Sequence, residues 1–273
     1  MDTYNPLPPL SNLPRSPTPP NDNGSGSGGT NTPDYAAQIA YWTSIPSTVS
    51  GMLGGYPQVS RVDLQTSSNF LAKLKGSMGV PEDGVRRGVD CGAGIGRITK
   101  GLLLKHMDVV DIVEPVSKFT DELLSASDLP PTGGKIGDIY NVGLETWEPE
   151  EGKYWCIWHQ WCLNHLTDTD LTSYLQRCSK ALSPGGLIFV KENNSNNFED
   201  VFDSEDSSVT RTDENFRRIF GEAGLVVVKS ELQRGFPEKL HLFPVRMYAL
   251  RPVPVPASAS ASASAVKGEA ERE

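Results

Sequence analysis

Three glycines at alternate positions in VDCGAGIGRITK (Gly92, Gly94 and Gly96), with Arg97 directly behind them, form the densest chemistry in the chain. An ordinary strand-to-helix turn needs one glycine or two. Three let the backbone approach a ligand at the carboxyl edge of an α/β sheet. The dinucleotide fingerprint Gly-x-Gly-x-x-Gly does not fit, because the last interval is one residue short and Arg97 falls where the final glycine belongs. A short loop bearing a guanidinium suits a carboxylate-ended ligand better than a pyrophosphate. Arg97 is able to pair bidentately with the methionine carboxylate of S-adenosylmethionine. About twenty residues on, VVDIVEP ends in Glu114, placed to accept both ribose hydroxyls of an adenosine group. NAD would share that ribose contact, but the glycine spacing and Arg97 set it aside.

These residues need a sheet to hold them, and the pattern supplies one. Short β-like runs at 87–91, 109–114, 135–140, 154–160, 186–191, 225–231 and about 243–250 alternate with helical patterns. The helical patterns are GRITKGLLLKHM, SKFTDELLSAS, DTDLTSYLQRCSKAL and DENFRRIFGEAG. Alternating strand and helix predicts a mostly parallel sheet with helices on both faces, and the last two runs are close enough to pair antiparallel at its edge. Ahead of it, DYAAQIAYWTSIPSTVSGMLGGY reads as a helix and a turn. SRVDLQTSSNFLAKLKG repeats Leu64, Phe70, Leu71 and Leu74 at helical spacing. The organisation is therefore a folded unit over 34–251, with a helical extension at 34–80 and a Rossmann-like core at 81–251.

Composition bounds the rest. A hydrophobic fraction of 37% is low for a wholly folded chain of 273 residues, and the ends account for it. Residues 1–33 are rich in Pro, Gly, Ser and Asn, and 252–273 form a Pro/Ala/Ser tract, so both are expected to be disordered. The net charge of −9 argues against nucleic acid as a partner and suits a cationic one. With no secretory or membrane-spanning apolar run, a soluble protein away from membranes is expected. Cytoplasm is the expected address, with nuclear entry open to a chain of this size. Cys91, Cys156, Cys162 and Cys178 form no Cys-x-x-Cys pair, so buried free thiols are expected and no metal.

DCGAGIGRITK, YWTSIPSTVSGMLGGY, IWHQWCLNHLTD and DSSVTR together closely resemble the protein α-N-terminal methyltransferases. That family methylates the free amine of proteins that begin Xaa-Pro-Lys or Xaa-Pro-Arg once the initiator methionine is gone. The likeness runs from about Tyr41 to Arg251. It implies a seven-stranded class I methyltransferase sheet, S-adenosylmethionine as cofactor, and N-terminal peptides, including those of ribosomal proteins, as partners. On the cofactor side it implies roles for Gly92, Gly94, Arg97, Glu114, Gly143, Leu144 and Gln160. On the peptide side it implies Trp42, Leu53, Trp161, His165, Asn193, Asp203, Asp206 and Ser208, of which His165 and Asp206, after the fourth and fifth strands, are the pair expected to handle the proton. Glu114 stands where the family often has aspartate. Asn193 is preferred to Asn194 by position, and His241 falls near a position the family fills with tyrosine.

An α-amine has a pKa of roughly 7.7 to 8.0, so a neutral lone pair must be selected or generated and aimed at the methyl carbon. A carboxylate or an imidazole in reach can take the proton. Asp206 also lies in an acidic segment able to bind the Lys or Arg at peptide position three, and the sequence leaves both roles open. A class I methyltransferase for a small-molecule amine or oxygen is the alternative, although a neutral metabolite would not need the acidic segment 203–208. A non-catalytic binding module is a further reading, against which the intact cofactor loop argues.

Overall fold

The computed structural model describes residues 31–127, 129 and 133–254. The expected tails therefore lie, apart from 31–33 and 252–254, outside the described residues. The folded part forms a seven-stranded sheet of β1 (Arg87–Cys91), β2 (Val109–Val113), β3 (Lys135–Tyr140), β4 (Tyr154–Gln160), β5 (Leu182–Asn193), β8 (Leu225–Leu232) and β9 (Val245–Pro252). Its order is β3-β2-β1-β4-β5-β9-β8. The four pairings up to β5 are parallel, whereas β9 runs antiparallel to both β5 and β8. The last two runs do pair antiparallel as expected, with β9 inserted beside β5 so that β8 forms the edge.

Alternation along the strands divides the core into two layers. Val89, Ile157, Ile188 and Val190 face α6 (Asp168–Ala181) and α7 (Asp213–Glu222) through Leu171, Tyr174, Phe216 and Phe220. Val110, Cys156, Trp158 and Phe189 point the other way. They pack against Phe70, Leu71 and Leu74 of α3 (Ser60–Lys75), Ile98 of α4 (Arg97–Gly101) and Leu123 of α5 (Ser117–Ser125). Fully buried strands on both faces are what a parallel sheet requires. All four cysteines are buried free thiols.

Three details depart from the expectation. GRITKGLLLKHM is not one helix: α4 ends at Gly101, and a separate 3-10 turn follows at Leu103–Lys105. DYAAQIAYWTSIPSTVSGMLGGY forms two helices, α1 (Tyr35–Ser44) and α2 (Val49–Met52), because Pro46 breaks the path between them. The acidic segment is not a plain loop but a small hairpin of β6 (Val201–Asp203) and β7 (Ser208–Thr210), with Asp203 paired to Ser208. Trp42, Ile45 and Met52 seat the α1–α2 segment on Ile95, Val116 and Phe119, so it straps across the glycine loop. No helix among the described residues is long and apolar enough to cross a membrane.

Candidate active site

A cleft of about 1360 Å³ lies over the carboxyl ends of the central strands, bounded by the segments that follow β1 to β5 and roofed by α1 and α2. Its position where strand order turns from β1 to β4 is the switch point of a doubly wound sheet. The glycine loop forms its floor. Gly92 and Gly94 both take left-handed backbone, at φ 66° and 54°. A Cβ at Gly92 would lie 2.4 Å from Cys162 Cβ, and one at Gly94 would lie 2.6 Å from Met52 Sδ. The left-handed backbone favours glycine at both positions, and at Gly92 Cys162 Cβ closes the space as well.

Glu114 closes one end. Its Oε2 accepts the Gly94 N–H at 2.8 Å and its Oε1 the Val116 N–H at 2.9 Å, so the carboxylate is fixed while lone pairs remain on both oxygens. Burial pushes its pKa up to about 7, against the pull of those two N–H groups. Ribose hydroxyls would add donors to the ionised form, so affinity for an adenosine ligand should rise with pH through about 7 and level off above it. Glu114→Ala should weaken binding of S-adenosylhomocysteine by about 1.5 to 3 kcal/mol, the range for hydrogen bonds to charged groups. Calorimetric titration at pH 6 and 8 measures both effects, and unchanged affinity would remove Glu114 from the site.

Arg97 lies at the opposite end of the loop. Its Nη1 donates to Asp63 Oδ2 at 2.7 Å, and its guanidinium lies 5.4 Å from the centre of the Trp161 ring. Nε and Nη2 have no hydrogen-bond partner among the described residues, although the side chain is only 8% exposed. A nearly buried guanidinium with unused donors facing a cleft fits a carboxylate-bearing ligand. Gly143 and Leu144 line the same cleft. Gln160, also in the lining, turns its Nε2 to both oxygens of Asp63 at 2.9 Å. The residues present thus fit S-adenosylmethionine at its ribose and amino-acid ends.

The other half of the cleft gathers Trp42, Leu53, Trp161, His165, Asn193, Asp203, Asp206 and Ser208 into one lining, with His241 at its margin. Asn194 is excluded: its Oδ1 accepts from Tyr248 Oη at 3.1 Å and the residue is buried. Trp161 sits at the junction with the cofactor half in left-handed backbone, φ 54°. Asp206 is half-buried, with Oδ1 accepting the Ser208 N–H at 3.1 Å. Desolvation raises its pKa, and the neighbouring Asp203 pushes the same way. Asp203, at the end of β6, is exposed.

His165 is held differently. Trp42 Nε1 donates to His165 Nε2 at 3.2 Å, which fixes the proton of the neutral ring on Nδ1. That Nδ1 is buried without a partner among the described residues, as are Trp161 Nε1 and Asn164 Oδ1, and all three residues line the cleft. Burial lowers the imidazole pKa to about 4. One short segment therefore presents two donors and one acceptor that nothing among the described residues satisfies.

Several positioning groups escaped the sequence reading. Gln38 of α1 donates from Nε2 to His165 O and to Ser207 O, both at 2.8 Å, tying the strap to the turn after β4 and to the acidic hairpin. Tyr41 faces that hairpin; burial first, then Asp206, Glu205 and Asp203, raise its pKa. Glu192, fully enclosed at the end of β5, accepts from Cys162 N at 2.7 Å, Leu163 N at 2.8 Å and Asn164 Nδ2 at 3.2 Å. No local pattern announces Gln38 or Glu192. Asn164 offered one signal, a polar residue inside the apolar WCLNHL run.

The pattern of the AdoMet dependent proline di-methyltransferase family matches residues 30–251. The chain is 47% identical over 220 residues to alpha N-terminal protein methyltransferase 1 of Schizosaccharomyces pombe, covering 80% of this chain and 96% of that one. It is 43% identical over 222 residues to the Drosophila melanogaster protein of the same name, covering 80% and 76%. Among solved structures, a SAM-dependent methyltransferase of Leishmania major superposes with a TM-score of 0.71 at 40% identity, covering 80% of this chain and 82% of that chain.

Proposed function

The chain belongs to the AdoMet-dependent proline di-methyltransferase family, and from that membership we propose that it methylates the free α-amine of proteins beginning Xaa-Pro-Lys or Xaa-Pro-Arg. The observation that carries this reading is one continuous cleft joining Glu114 and Arg97 to Trp42, Trp161, Asn193 and Asp206. S-adenosylmethionine supplies the methyl group on a sulfonium, an electrophile that needs only an in-line amine lone pair. Everything else falls to the side chains. Glu114 and Arg97 hold the two ends of the cofactor. Trp42 and Trp161 offer flat apolar walls for the proline, with Leu53 above them, and Asn193 fixes the peptide register through its amide.

Of the two groups expected to handle the proton, Asp206 is suited and His165 is not. Asp206 lines the cleft, and its raised pKa brings it closer to that of the amine it must relieve. The imidazole has its only lone-pair nitrogen engaged by Trp42, so it serves as a donor through Nδ1–H. A proline at position two removes the N–H from the first peptide bond and leaves a carbonyl acceptor there. His165 Nδ1–H and Trp161 Nε1–H are donors that suit such carbonyls. Asp203, exposed at the hairpin tip, takes the cation of the third residue. Ser208, paired with Asp203 across the hairpin, lines the same end of the cleft. On the family likeness, we place its clients among ribosomal proteins and its work in the cytoplasm.

A Ser-Pro-Lys peptide incubated with the protein and S-adenosylmethionine should gain methyl groups on its α-amine by mass spectrometry, and the N-acetylated peptide should gain none. Methylation of neither peptide, with cofactor binding retained, would move the substrate to small molecules. Methylation of both would move the reaction away from the N-terminus.

A further inference from the structure

A further enclosed charged group beside the cleft is Asp63, from helix α3. Its carboxylate is wholly buried and surrounded by three side chains from three other elements. Lys191 Nζ of β5 lies 2.5 Å from Oδ1, Arg97 Nη1 lies 2.7 Å from Oδ2, and Gln160 Nε2 of β4 lies 2.9 Å from both oxygens. Lys191 also donates to Asp63 O at 3.1 Å and Ser67 Oγ at 2.9 Å, so all three ammonium protons are engaged on α3. Two cations thus meet on one buried carboxylate. Arg97 alone of the two cations faces the cleft with unused donors.

We infer that Asp63 is a positioning residue for the cofactor: by gripping Nη1 of Arg97 and the amide of Gln160 it aims the free edge of the guanidinium at the ligand's carboxylate. The inference rests on the cofactor reading of Arg97 given above. Two arguments make positioning more than packing. A guanidinium with one nitrogen pinned at 2.7 Å and its face against Trp161 has a single orientation left, and a bidentate pair with a carboxylate depends on that orientation. Desolvation is the largest influence on Asp63 and would neutralise it, yet Lys191 and Arg97 hold its pKa below the usual carboxylate value, so the anion that does the gripping persists. Helix α3 thereby becomes part of the cofactor site although none of its residues is a first choice for ligand contact.

The test compares S-adenosylhomocysteine with 5′-methylthioadenosine, which keeps the adenosine and thioether and lacks the carboxylate. Both are titrated calorimetrically into the wild type, Asp63→Asn and Arg97→Met. With Asp63→Asn, affinity for S-adenosylhomocysteine should fall at least tenfold and affinity for methylthioadenosine less than threefold. The KM for S-adenosylmethionine should rise while kcat at saturation stays within about threefold. Charge alone predicts the opposite sign, since removing an anion would favour the carboxylate-bearing ligand. Equal losses for both ligands, or none for either, would overturn the inference and leave Asp63 a structural residue. Arg97→Met separates the premise from the inference. If it abolishes the preference for S-adenosylhomocysteine while Asp63→Asn does not, only the inference fails. If it leaves the preference intact, the reading of Arg97 fails with it. Should Asp63→Asn not fold, the paired variant Asp63→Asn with Lys191→Met keeps the cluster's net charge and should lose the same preference.

Discussion

Asp206→Asn should lower turnover on a Ser-Pro-Lys peptide by about 10²- to 10⁴-fold, the usual contribution of a positioned base, with cofactor affinity unchanged. The substitution is nearly isosteric, and an asparagine oxygen still accepts the Ser208 N–H that now binds Oδ1 at 3.1 Å, so the hairpin keeps its shape. What disappears is the ability to take a proton. In the wild type the rate should rise with pH as both Asp206 and the amine lose protons; burial raises the pKa of the former, moving its limb toward that of the latter. In the variant only the amine remains, so the profile should rise through roughly 7.7 to 8.0. A peptide with norleucine at position three separates this role from cation binding. If Asp206 only held the lysine, the norleucine peptide would be as slow on the wild type as on the variant. Normal rate and normal peptide affinity in the variant would refute both roles.

The split between what was legible in the sequence and what was not follows the range of the interactions. The strands announced themselves because each is a local apolar run, and the glycine loop because its left-handed backbone favours residues without Cβ. Asp63 did not. In SRVDLQTSSNF it reads as a first-turn helix acid facing water, and Leu64 looks like the start of the apolar stripe. The buried face of α3 instead runs through Asp63, Ser67, Phe70, Leu71 and Leu74, so the polar pair lies on the same stripe as the core residues. The signal was the spacing of 63 and 67 ahead of 70, 71 and 74. It was hidden because the partners that make burial tolerable, Gln160 and Lys191, lie 97 and 128 residues away. The same holds for the acidic segment. Its composition pointed to a cation, but nothing local said that Gln38 would clamp Ser207 and turn the stretch into a hairpin. Trp161, Ser207 and His241 take left-handed backbone at three places around the cleft, where propensity favours glycine or asparagine; tertiary contacts override propensity there.

Glu192→Ala should be the most destabilising single change near the site, because it strands three donors at once. Cys162 N, Leu163 N and Asn164 Nδ2 would be left buried without an acceptor. At about 1 to 3 kcal/mol for each stranded group, less the relief of removing a buried carboxylate, the loss should be about 3 to 6 kcal/mol. For a domain of this size that is a fall in Tm of roughly 6 to 24 °C. Thermal unfolding measures it, and a shift under 3 °C would show that water or rearrangement takes over the three bonds. Glu192→Gln should cost less, since its carbonyl still accepts both backbone N–H groups while Asn164 must turn its amide away. The two variants also differ from the wild type in pH dependence. Burial raises the Glu192 pKa from 4.5 to about 7, so between those values the folded protein holds a proton that the unfolded chain has lost. The stability that Glu192 contributes is therefore complete below about 4.5 and declines as pH rises through about 7. Glutamine removes that slope, so the gap between wild type and Glu192→Gln should be larger at pH 5 than at pH 8. Function should follow structure in a specific order. The segment that Glu192 pins carries Trp161 and His165, so in a variant that still folds the peptide KM should rise before cofactor affinity falls. The reverse order would place Glu192 in support of the glycine loop, through the contact between Cys162 and Gly92.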